Sequence, residues 1–146
     1  MTKVNVYLLF DGNCEEAFNF YKEAFGKEFE MISRFKEMPP VKDQPPVPEE
    51  DAEKIMYISL PIDGDSVLMG SDIGAGSSGN YTTGNNFSVS VSTETRSEAD
   101  RIFAELSAGG EITMKMEDTF WGEYFGMFTD KFGIGWMIGC REEPNE

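Results

Sequence analysis

Two stretches of the chain, VNVYLLF at 4–10 and NFSVSVST at 86–93, open the same series of elements 82 to 83 residues apart, as Val6 stands to Val89 and Asn13 to Thr95. Val4, Val6 and Leu8 in the first, and Phe87, Val89 and Val91 in the second, alternate with their neighbours as a strand with one buried face requires. A helix is predicted after each. Asn13 and Glu16 have the spacing of a capping pair, Ala17, Phe18, Tyr21, Ala24 and Phe25 recur at helical period, and Gly26 marks the stop. Thr95 and Glu98 repeat the cap, Ala99, Ile102, Phe103 and Leu106 the stripe, and Gly109 with Gly110 the stop. The next strand matches as well, with Glu28, Phe29 and Met31 standing to Glu111, Ile112 and Met114. Agreement in order of strand, cap, stripe, stop and second strand points to an internal duplication.

Further strand patterns follow each helix: KEFEMISRF, KIMYISLPI and DSVLMGSD in the first half, EITMKMED, EYFGMFTD and GIGWMIGC in the second. Each half therefore reads as βαβββ, and the fold class as α+β: paired βαβββ repeats forming curved sheets around a cavity. The expected organisation is one domain over 1–146, with halves at about 1–73 and 86–146 and a Gly- and Asn-rich linker at 74–85. The segment EMPPVKDQPPVPEEDAE at 37–53 reads as a solvated, partly extended loop.

Charge narrows the partners. Twenty-seven Asp and Glu against 12 Lys and Arg leave a formal net charge of −15, a field that repels phosphate backbones and anionic lipid. Nucleic-acid and membrane partners are not expected, and no apolar run has the length of a membrane span. With no recognisable signal sequence, the expected location is cytoplasmic, and Cys14 and Cys140 are expected as free thiols. The chain has no histidine. That removes Ser-His and Cys-His nucleophiles and imidazole bases, and leaves a metal only carboxylate, amide, hydroxyl, thiolate or water ligands.

Three stretches, YLLFDGNCEEAFNFYKEAFG at 7–26, IMYISLPI with LMGSD at 55–62 and 68–72, and DTFWGEYFGMFTDKFGIGWMI at 118–138, resemble the vicinal oxygen chelate superfamily of glyoxalases, bleomycin-resistance proteins and dioxygenases, and within it the PhnB-like branch. The resemblance implies a paired βαβββ fold and a homodimer whose pockets draw on both chains. In catalytic members it implies a divalent metal held by His and Glu from both repeats. This chain departs from that pattern: where relatives have a histidine on the third strand it has Tyr57, and its last strand offers Gly135, Met137 and Gly139 rather than Glu. Ser88 and Ser90, or their neighbours, are the candidate inward positions of the strand opening the second half. Hydroxyls, glycine and thioether are poor ligands for a hard divalent ion, so no cofactor is predicted and a divalent metal is disfavoured.

Five residues are the ligand-binding candidates. Tyr57 offers a phenol for hydrogen bonding, and Asn5 and Tyr7 supply polar handles if their face of the first strand lines the cavity, which parity alone leaves open. Trp121 and Tyr124, near a glycine in an expected bend, belong with Phe125, Phe128 and Trp136 to a possible aromatic wall, although core packing competes for the phenylalanines. Asp130 and Lys131 read as a solvated turn pair, and Asp72 and Asp118 as the remaining acids near strand ends. The expected function is binding of a small organic molecule of unknown identity, without the usual His-based metal site. The alternatives are a metal-dependent glyoxalase-like isomerase or lyase with a shifted site, and a resistance protein that sequesters a drug.

Overall fold

The two apolar stripes become the buried faces of two helices of 12 residues each, α1 (Cys14–Phe25) and α2 (Arg96–Ser107). The computed structural model describes residues 1–40, 42–43, 45–74 and 81–141; residues 75–80 of the expected linker lie outside them. The chain divides into two compact units, Met1–Thr82 and Thr83–Glu146. The first runs β1 (Val6–Phe10), α1, β2 (Met31–Arg34), β3 (Ile55–Pro61) and β4 (Val67–Asp72). The second runs β5 (Val89–Thr93), α2, β6 (Glu111–Asp118), β7 (Tyr124–Thr129) and β8 (Gly135–Cys140). Each unit is βαβββ.

Their topologies are the same. The first sheet has the order β1-β4-β3-β2 and the second β5-β8-β7-β6, each with one parallel pair joining its first and last strands. The remaining neighbours are antiparallel. The helix after the first strand lets the chain leave the sheet, and three strands later the last one returns parallel beside the first.

Each helix packs on one face of its own sheet. In the first unit Leu8, Phe10, Ile58, Leu60 and Leu68 bury against Ala17, Phe18, Tyr21 and Ala24, and each large side chain so removed from water contributes about 1.5–3 kcal/mol. Gly70 is a consequence of this packing: a Cβ there would lie 2.6 Å from Phe18 Cε1 and 2.9 Å from the Leu8 carbonyl oxygen. In the second unit Val89, Phe128, Trp136 and Ile138 lie beneath Ala99, Ile102, Phe103 and Leu106, and Phe103 meets Phe128 edge-on at 5.1 Å. Trp136 is therefore a core residue, not part of an aromatic wall.

Local chemistry at the helix ends follows the sequence in three cases and departs from it in one. Thr95 Oγ1 accepts from Glu98 N–H at 3.1 Å, as the cap spacing predicts. Gly26, at φ +67°, closes α1 and donates to the Lys22 carbonyl, and Gly109, just beyond α2, has φ +79°. Asn13 makes no side-chain cap bond. Its task falls to Asp72 at the end of β4, whose Oδ1 accepts from Gly12 and Cys14 N–H at 2.9 Å each and whose Oδ2 accepts from Ile55 N–H at 2.8 Å. The carboxylate brought in by the sheet thus satisfies the first N–H of α1, that of Cys14, from outside the local sequence.

Three other expectations are corrected. Asp130 is buried rather than solvated: Oδ1 accepts from Phe132 and Ile134 N–H and Oδ2 from Trp136 Nε1–H at 2.8 Å, so it braces the β7–β8 turn. Val4 and Phe87 lie outside β1 and β5 and are exposed, because each strand begins only where its pairing does. Within the segment expected to be solvated at 37–53, Asp51 is buried, in a single helical turn at Glu49–Asp51.

Candidate functional site

Strand alternation leaves each sheet with a second face, turned away from its helix. On the first sheet β1 contributes Tyr7 and Leu9, β4 Met69 and Ser71, β3 Tyr57 and Ser59, and β2 Met31 and Ser33. Register aligns Tyr7 with Met69, Met69 with Ser59 and Ser59 with Met31 in one row, and pairs Leu9 with Ser71 and Ser33 with Tyr57 in the next. Tyr7 and Tyr57 stack with centroids 6.2 Å apart and planes at 28°. Ser33, Ser59 and Ser71 are buried, while Tyr7 is 46% exposed. The structure thus unites two of the five candidates. Asn5 precedes β1 and is exposed, outside these rows.

On the second sheet the face away from α2 carries Phe125, Met127 and Thr129 of β7 opposite Gly139, Met137 and Gly135 of β8. Ser90 and Ser92 of β5 align with Met137 and Gly139, and Glu117 of β6 aligns with Phe125. The turn before β7 adds Trp121, whose ring meets Phe125 at 5.6 Å and 70°. Trp121 Nε1–H donates to Glu123 Oε1 at 3.3 Å. Glu123 was absent from the candidates, yet its carboxylate lies over β8: a Cβ on Gly139 would be 2.8 Å from Glu123 Oε2.

Tyr124 goes the other way. It faces α2, where its hydroxyl donates to Asp100 Oδ1 at 2.6 Å and the Arg96 guanidinium lies 4.4 Å from its ring centre. The bond to Asp100, aided by burial, pushes the phenol up to about 12. Arg96 in turn pairs with Asp118, whose carboxyl it holds below the usual range by hydrogen bonding. Tyr124 and Trp121 are neighbours in sequence that serve opposite faces of one sheet.

The acids near strand ends are accounted for by these partners. Asp72 is engaged by three backbone N–H groups and Asp118 by Arg96. Cys14 and Cys140 are buried free thiols, and burial, reinforced by Asp72, raises the Cys14 thiol far above its ordinary value, so it is no nucleophile. Among the described residues no group of three or more Cys, Asp or Glu side chains converges to hold a metal ion. None of the helices described is long and apolar enough to cross a membrane. What the two faces offer chemically is aromatic surface, phenol and serine hydroxyls, thioethers and one well-placed carboxylate.

Known proteins share this architecture. The model of the Glyoxalase/Bleomycin resistance protein/Dioxygenase superfamily matches residues 3–138. Protein YjdN of Escherichia coli (strain K12) is 30% identical, over 96% of this chain and 97% of its own. The crystal structure of protein PA1353 from Pseudomonas aeruginosa is 34% identical with a TM-score of 0.80, covering 98% of this chain and 100% of that one. A PhnB protein from Bacillus cereus is 27% identical with a TM-score of 0.71, covering 95% of this chain and 99% of its own. Two βαβββ units of common topology, and similarity that runs the length of both chains, place this protein in the glyoxalase/bleomycin resistance protein/dioxygenase superfamily, in its PhnB-like branch.

Proposed function

We propose that this chain is a homodimeric PhnB-like protein that binds a small organic molecule without a tightly held metal ion. The observation that carries this reading is the stacked Tyr7 and Tyr57 pair on the same sheet face as the serines Ser33, Ser59 and Ser71, residues that are themselves largely buried. Aromatic rings supply area at low conformational cost, and phenol and serine hydroxyls orient a ligand's oxygens or nitrogens. The donor set does not suit the divalent metal of the superfamily's catalytic members. The chain has no imidazole, and the last strand presents Gly135, Met137 and Gly139 on the relevant face. No metal-assisted step is therefore assigned.

Native mass spectrometry of protein purified without added metal tests the proposal. A dimer free of stoichiometric metal, retaining or accepting an organic ligand, is the expected result. One divalent ion per chain, with an activity lost to chelator and restored by one metal, would overturn it in favour of an isomerase or lyase.

A further inference from the structure

The second sheet carries a feature that narrows the ligand class. The Glu123 backbone is fixed by Thr119, whose N–H and Oγ1–H both donate to the Glu123 carbonyl, at 3.0 and 2.6 Å, and whose Oγ1 accepts from Glu123 N–H at 3.2 Å. Gly122, at φ +89°, makes the turn that this requires. The side chain then folds over β8, into space that exists because residue 139 has no Cβ. Trp121 Nε1–H holds one carboxylate oxygen there.

Around this carboxylate are π-faces and a second acid. Phe125 and Trp121 pack edge to face beside it, and Trp121 is 45% exposed. Register brings Glu117 alongside Phe125 on the same face. Among the described residues neither Glu117 nor Glu123 has a lysine or arginine in ion-pair distance. A fixed carboxylate flanked by aromatic rings is complementary to an organic ammonium group, by charge-assisted hydrogen bonding on one side and cation–π attraction on the other. A net charge of −15 favours the approach of such a ligand and disfavours anions.

We infer that Glu123, Trp121 and Phe125 form a subsite for the protonated amine or quaternary ammonium of an aromatic or aliphatic organic cation. The inference rests on the small-molecule reading and gives the second unit a subsite of its own, for a ligand that carries a positive charge. Glu123 is the selecting group, and Gly139 the residue that lets it lie on the sheet.

The test titrates three probes of similar shape and different charge, phenethylamine, phenethyl alcohol and hydrocinnamate, into the full chain while following the two tryptophan indole N–H signals by NMR. Trp136, buried on Asp130, is the internal reference. Expected is a saturable shift of the Trp121 signal alone, with phenethylamine bound about tenfold tighter than phenethyl alcohol and hydrocinnamate weakest. Glu123→Gln keeps an acceptor for Trp121 and removes the charge, so it abolishes the preference for phenethylamine over phenethyl alcohol. Gly139→Ala displaces the carboxylate and weakens only the cation. Equal binding of cation and alcohol, a preference that survives Glu123→Gln, or an unmoved Trp121 signal overturns the subsite. In the first two cases a metal-free dimer still upholds the wider binding reading, so the two ideas fail separately.

Discussion

At the residue scale, Tyr124 shows how one side chain's assignment depends on a single alternation. Sequence places it beside Trp121 in an aromatic-rich run, but β7 turns it toward α2, where it donates to Asp100. Ionising it would set a phenolate against that carboxylate, so its value rises from 10 to about 12. A group whose folded value is raised gives its full contribution below the unfolded value and loses it as pH climbs through the folded one. The Tyr124–Asp100 contact should therefore stabilise the second unit fully below pH about 10 and cease to do so as pH passes about 12. An ultraviolet titration of phenolate formation, taken as the difference between the wild type and Tyr124→Phe, should show one phenol ionising near the upper value; a midpoint near 10 would contradict the contact. Glu123 is the complementary lesson. Nothing about WGE announces a ligand group until the register of Phe125 against Gly139 is known, because the significance lies in a glycine 16 residues further along the chain.

At the element scale, the sequence made the helices and strands legible because their periods differ and their stops are glycines. Every residue of the two predicted stripes is buried. The caps were legible only where they are local. Thr95 reaches Glu98 N–H three residues away, whereas α1 is capped from β4 by Asp72, a contact no local pattern encodes. The same limit applies to Asp130, whose acceptor role depends on Trp136 returning across the turn. This contrast predicts three stabilities in urea denaturation. Thr95→Ala should cost about 1 kcal/mol, and Asn13→Ala close to nothing, since its side chain makes no cap bond. Asp72→Ala should cost about 3 kcal/mol or more, because three backbone donors lose their acceptor. Equal losses from Thr95→Ala and Asn13→Ala would show that α1 is capped locally after all.

At the scale of the whole molecule, duplication was the most readable property, since two βαβββ units with the same strand order follow from the matched strings. Face assignment was the least readable, because parity gives two equivalent choices until a core residue such as Leu8 fixes one. Charge acts at this scale too. Ion pairs such as Lys27–Asp63 and Arg101–Glu98 are exposed and each contributes at most about 1 kcal/mol. They do not offset an excess of acids amounting to −15. Screening should then relieve more repulsion than it removes attraction: raising ionic strength from about 0.01 M to about 0.15 M shortens the reach of each charge from about 30 Å to about 8 Å. The melting temperature should rise, by about 2–4 °C for each kcal/mol recovered. A fall in thermal melts over that range would mean that the local pairs dominate.

The origin of the two caps also sets a timetable. The first turn of α2 closes with an acceptor three residues away, available as soon as that turn has been made. The first turn of α1 waits for Asp72, 58 residues downstream of Cys14. Closing so long a loop is slow compared with winding a helical turn. On a chain emerging from the ribosome, α1 therefore remains without its acceptor until the whole of β4 has followed it out, and the half synthesised first gains no head start from its own helix.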